Sequence, residues 1–154
     1  MKELIAIAPR KPVLQDYEDS PISDGQVRVK VEFGAPKRGS ELTGYHAVRG
    51  SSFPMGLGNM CVGRIIEIGD GVEGFSIGDR VASHGHLRET HTWNANGLLR
   101  LEDRMTWKEA VCYDPTLFAL GGIRDGQVRL GDAVAVFGLG AIGQITVQMA
   151  IMAG

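Results

Sequence analysis

From Ala133 to Gly154 the chain reads AVAVFGLGAIGQITVQMAIMAG, without one charged side chain. So apolar a run has to be buried in a sheet, in a core helix or in a bilayer. Gly138, Gly140 and Gly143 interrupt it, the residues before them are β-prone, and Gln144, Thr146 and Gln148 punctuate the apolar residues after them. This pattern predicts a buried strand over Val134–Phe137, a turn and a buried helix, and argues against a membrane span. In such a unit each glycine has a task. The first permits the sharp turn, the second lets backbone approach a pyrophosphate, and the third lets helix pack on strand. The pyrophosphate then meets the positive end of the new helix. Gly138, Leu139, Gly140, Ala141, Ile142 and Gly143 are therefore candidates for binding a dinucleotide, NAD or NADP. The acidic residue that would hold its ribose is expected about 20 residues further on, past Gly154. One strand and one helix cannot cover their own apolar faces. The chain is accordingly expected to be part of a longer protein, with the remainder of the nucleotide domain as its partner, and inactive alone.

The other residues narrow the class. Net charge is −2, and no Lys/Arg run exceeds two residues, so neither a nucleic acid nor a membrane surface is an expected partner. Cys61 and Cys112 are the two cysteines and lie far apart, which excludes a disulfide framework and a cysteine zinc knuckle. The apolar stretch in MKELIAIAPRKP is too short for a signal peptide and reads as a first strand. A cytoplasmic location is the default expectation. Glycine, at 22 of 154 residues, is about twice as frequent as usual. That abundance favours tight turns and a β-rich body.

Short strands separated by turn signals fill the first part: Lys2–Ala8, Gln26–Phe33 after the Ser23–Gly25 turn, Cys61–Ile68, Asp79–Ser83 and Glu89–Trp93. Asn96-Gly97 signals a hairpin into Leu98–Leu101. Strands at this spacing predict a closed or partly closed barrel. Thr106-Trp107-Lys108-Glu109 then fits a capping box opening a helix that ends near Asp114. Pro115 can start a second helix, with Asp114 as its cap, running to about Arg124. The expected domains are residues 1–125 and 126–154.

Order and spacing together resemble the medium-chain dehydrogenase/reductase superfamily, in particular its zinc alcohol and polyol dehydrogenase branch. The family signature GHExxGxxxxxGxxV is matched by GNMCVGRIIEIGDGV, Gly58 to Val72, with every glycine and the valine in register. GFSIGDRV, Gly74 to Val81, and LGDAVAVFGLGAIGQITVQMA, Leu130 to Ala150, are similar to later family segments. The resemblance implies a mainly β GroES-like domain followed by the start of an α/β Rossmann domain. It also implies NAD(P)-dependent hydride transfer to or from a small alcohol, carbonyl or enone. A non-catalytic nucleotide-binding or interaction protein on the same fold is the alternative, and a homo-oligomer stays open.

The chain departs from the family at the metal. Asn59 stands where the signature His is a zinc ligand, Met60 where the outer Glu lies, and Arg38-Gly39-Ser40-Glu41 replaces C-G-[ST]-D. Asp114-Pro115 resembles the later Glu-Pro and keeps one ligand-like position. Arg38 is permanently cationic and offers no lone pair, so no metal is expected here and catalysis is expected to proceed without zinc. Arg38 then either steadies a developing oxyanion or an anionic substrate, or pairs with Glu41 or Asp114 to fill the vacated site. Ser40 aligns with the family's proton-relay residue or simply satisfies backbone. His46 acts as a general acid or is an exposed loop histidine. His84 and His86, two apart with His91 near, could chelate an ion, although no third ligand is spaced with them.

Overall fold

A computed structural model describes residues 1–48 and 50–154, which divide into two compact units, Met1–Val111 and Cys112–Gly154. The division falls earlier than the boundary read at residue 125, and the helix before that boundary packs with the one after it.

The first unit is built on two antiparallel sheets. In the smaller, β1 (Lys2–Ala8) lies between β2 (Lys11–Asp16) and β4 (Met55–Gly56). In the larger, the order is β7 (Thr90–Asn94), β3 (Gln26–Ala35), β5 (Met60–Ile68), β6 (Arg80–His84) and β8 (Leu99–Arg100). The expected barrel is therefore not closed. The sheets remain separate, and β7 and β8 stay as the two edges of the larger one. Asn96-Gly97 accordingly makes no hairpin. It lies in a 3-10 turn, Ala95–Gly97, that carries the chain from one edge strand to the other.

Alternation fixes which side of β3 is core. Val27 and Val29 are wholly buried with Ile65 and Val81, Ala95 is nearly so, and Phe75, Trp93 and Leu98 pack around them. Arg28 breaks the alternation by being buried as well. A buried guanidinium is tolerated only with its charge answered. Asp19 sits 2.9 Å and Glu67 2.7 Å from it, and Ser20 O accepts a further hydrogen bond at 2.7 Å. Between Val31 and Phe33 the register with β5 slips. The bulge brings the Lys30 carbonyl so close to Gly63 that a Cβ there would lie 2.0 Å from the oxygen. The second signature glycine is thus required by backbone contact.

Three elements left no signal of their own in the sequence: β2, β4 and α1 (Arg38–Tyr45). The capping box forms as expected. Thr106 accepts from the Glu109 amide, and the Glu109 carboxylate accepts from Thr106 N at 2.7 Å. The helix it opens, α2 (Trp107–Ala110), is nevertheless shorter than expected.

In the second unit α3 (Tyr113–Asp125) is capped by Cys112, so Asp114 is not the cap and Asp114-Pro115 lies within the first turn. Proline is tolerated there because those amides have no intrahelical partner. α4 (Ala141–Met152) packs on α3. The strand expected over Val134–Phe137 is not formed, and Phe137 is 96% exposed. A parallel strand needs neighbours for its hydrogen bonds, and among the described residues none pairs with this segment. For the same reason α4, expected to be buried, has no buried residue. No helix among the described residues is long and apolar enough to cross a membrane.

Candidate functional site

Two groups of residues from the signature meet in the first unit. The Glu41 carboxylate, in the first turn of α1, accepts a short hydrogen bond from the Gly58 amide. The tether joins Arg38-Gly39-Ser40-Glu41 to Gly58-Asn59-Met60, so the two replaced ligand segments are held side by side. Glu41 is engaged there and not with Arg38. Asn59 is fixed by its backbone: its N donates to Ala35 O at 3.1 Å, and its carbonyl accepts from Gly85 N at 3.0 Å. Two buried acceptors in this corner, Glu41 Oε2 and Asn59 Oδ1, have no hydrogen-bond partner among the described residues. Met60 is buried. The Arg38 side chain and Ser40 are exposed in the first turn of α1. His46 is exposed at its C-terminal cap, about 12 Å further along the helix axis. Arg38 and Ser40 share the first turn of α1 two positions apart, and so on different faces of the helix, and His46 stands at its other end.

This donor set does not fit zinc. A guanidinium repels the ion, the amide oxygen of Asn59 is a weak ligand, and the Met60 side chain is packed in the core. Among the described residues no three His, Cys, Asp or Glu side chains group as a metal site would need. The histidines take other partners. His84 Nδ1 lies 3.3 Å from Asn59 O, and His86 Nε2 lies 3.3 Å from Glu3.

His91 is buried, stacked on Trp93 with ring centroids 4.7 Å apart. Its Nε2 donates to His86 O at 2.8 Å, and since a carbonyl only accepts, the proton sits on Nε2. Cys61 Sγ lies 3.8 Å from the same nitrogen, and burial pushes its thiol up to about 12. Cys61 is therefore a packed thiol and not a nucleophile. Burial also holds the His91 imidazole down at about 4. The unfolded chain takes up that proton near pH 6.5 and the folded one only near 4, so stability is complete above about 6.5 and falls as pH drops between those values. The expected loss is of order 3 kcal/mol. Urea unfolding at pH 7.5 and 4.5 checks it, because His91→Gln should lose less across that interval than the wild type. Neither the burial of His91 nor the Glu41 tether was legible in local pattern, since both depend on segments far apart in sequence.

In the second unit the glycine turn leads into α4 with Gly140 as its N-cap. Gly138 has φ +93°, and a Cβ on Gly143 would lie 1.8 Å from Gly138 O. Nothing lies within 4 Å of a Cβ built on Gly140. The turn is closed tightly on its helix side and open above Gly140, next to first-turn amides that lack intrahelical acceptors. A phosphate fits that cradle.

The alcohol dehydrogenase GroES-like domain family matches residues 23–147, most of the chain. This chain belongs to the medium-chain dehydrogenase/reductase superfamily. D-guloside 3-dehydrogenase of Escherichia coli strain K12 is 42% identical over 181 residues, covering all of this chain and 52% of the relative. Galactitol-1-phosphate dehydrogenase of Escherichia coli superposes with a TM-score of 0.89 at 20% identity, covering 100% of this chain and 53% of the other. A mycobacterial protein solved with NADPH superposes at 0.85 with 23% identity, covering 100% and 51%. The two structural likenesses show the fold alone. This medium-chain dehydrogenase/reductase chain spans about half the length of the curated relatives it matches.

Proposed function

We propose that the chain serves an NAD(P)-dependent oxidoreductase of the alcohol or polyol dehydrogenase type that works without catalytic zinc. It moves a hydride to or from a small alcohol, carbonyl or enone. The observation carrying this reading is the Gly138–Gly143 turn, closed against α4 and open above Gly140, in a chain of this superfamily. Gly138, Leu139, Gly140, Ala141, Ile142 and Gly143 would hold the pyrophosphate as the opening of a Rossmann unit over residues 126–154. The bound nicotinamide supplies the hydride acceptor or donor.

The chain's own residues must manage charge on the substrate oxygen. Arg38 presents a permanent cation to an oxyanion or an anionic substrate, a task for which a planar guanidinium is suited. Ser40, in the same helical turn, offers a hydroxyl that can pass a proton. His46, at the other end of α1, does not reach the same oxygen.

A panel of alcohols, polyols and ketones with each nicotinamide, run on the full-length protein, tests the reading. Turnover with at least one pair, unchanged by a zinc chelator, is expected. Failure to turn over any of them, with nicotinamide still bound, would instead favour a non-catalytic nucleotide-binding protein.

A further inference from the structure

His84 stands at the end of the larger sheet where three strands finish in a row. β3 ends at Ala35, β5 begins at Met60 and β6 ends at His84. Met60 pairs with Ala35 on one side and with His84 on the other. At ordinary strand spacing the backbones of Ala35 and His84 are then about 10 Å apart. Asn59, just before Met60, is held between the same neighbours. Its N donates to Ala35 O at 3.1 Å, and its carbonyl accepts from Gly85 N at 3.0 Å. From Ala35 the chain passes through Pro36 and Lys37 into the first turn of α1, which carries Arg38 and Ser40. The Glu41 tether to Gly58 N keeps that turn beside the signature segment. His84 and the strand leading into α1 thus flank Asn59 from opposite sides.

The imidazole is oriented as well as placed. His84 Nδ1 lies 3.3 Å from Asn59 O, and because a carbonyl only accepts, Nδ1 carries the proton of the neutral ring. The lone pair is then on Nε2, which makes that nitrogen the base of the ring. His84 is exposed, so a proton taken up there can leave to water. The other histidines are placed differently. His46 lies at the far end of α1, His91 is buried with its proton on Nε2, and His86 Nε2 is 3.3 Å from Glu3.

We infer that His84 is the general base of alcohol oxidation, and the general acid of carbonyl reduction, in the hydride transfer proposed for this chain. The inference rests on that reading. As an alcohol is oxidised, its carbinol C–H bond breaks and the hydride, with both electrons, goes to the nicotinamide. The O–H electron pair becomes the second bond of the carbonyl. The proton moves to His84 Nε2 and on to solvent. Reduction runs the same path backward. Arg38 keeps its own task, the charge on the substrate oxygen.

Steady-state turnover by the full-length protein, compared among wild type, His84→Ala and His84→Asn, tests it. An Asn side chain can still donate to the Asn59 carbonyl but cannot take up a proton. Both variants should lose about a hundredfold in kcat, while nicotinamide affinity and thermal stability stay those of the wild type. Full activity in His84→Ala would overturn the inference. So would a slow His84→Ala beside a normal His84→Asn, because His84 would then only anchor Asn59. Either result leaves the dehydrogenase reading intact. A wild type that turns over no alcohol, polyol or ketone would remove that reading and this inference together.

Discussion

Replacing Gly143 by Ala is expected to weaken nicotinamide binding to the full-length protein by about a hundredfold. The new Cβ would sit 1.8 Å from Gly138 O, a distance no non-bonded pair of heavy atoms holds. Gly138 is already at φ +93°, so its carbonyl has little room to retreat, and α4 must move off the turn. Displacing a helix terminus removes both its amides and its dipole from an anion. Gly140→Ala makes the informative contrast. Gly140 has φ −73° and nothing within 4 Å of its Cβ, so the folded turn accepts a methyl group there without strain. That methyl group occupies the open side where a pyrophosphate would approach. Thermal stability should be kept while affinity falls about tenfold. Fluorescence titration with NADH and NADPH, paired with thermal unfolding, reads both variants. Unchanged binding in Gly143→Ala would show that the turn is structural only.

Gly63→Ala should destabilise the first unit by about 3 kcal/mol, a large share of the 5–15 kcal/mol that usually holds a domain. The Lys30 carbonyl 2.0 Å from the new Cβ belongs to a central strand, so either β3 or β5 must shift and its ladder bonds lengthen. Gly97→Ala is the control, because nothing lies within 4 Å of its Cβ, and its effect should be near zero. Urea unfolding checks the pair. The midpoint should fall for Gly63→Ala with no change in slope, while Gly97→Ala should leave both unaltered.

These two glycines also show what the sequence could convey. Gly63 and Gly143 stand in spaced motifs, and the spacing marks a backbone approach before any partner is known. The apolar alternation of β3 and the capping box at Thr106 were readable for a similar reason, since each is a local pattern with a local cause. What depended on distant partners was not. The strand expected over Val134–Phe137 has the right composition but, among the described residues, no neighbour to pair with, so it does not form and Phe137 lies exposed. Asn96-Gly97 has hairpin chemistry, yet tertiary pairing sends its flanking strands to opposite edges of the sheet. Arg28 looks like a surface residue until Asp19 and Glu67 are folded onto it.

The candidate site divides in the same manner. Replacement of the zinc ligands by Arg38 and Asn59 was legible residue by residue, because it needs only the family's pattern and the chemistry of the side chains. The tether from Glu41 to the Gly58 amide needed the fold, since it joins segments with no common periodicity. Separation of His46 from Arg38 likewise came only with α1, an element the glycine-containing segment RGSELTGY does not announce.

Elemental analysis of the full-length protein, purified in active form, bears most directly on the proposal that hydride transfer proceeds here without a metal. With Arg38 and Asn59 in the ligand positions, zinc should be well below one ion per chain, and prolonged chelation should leave the rate unchanged. One tightly held zinc per chain, with activity lost on its removal and restored on its return, would contradict the account.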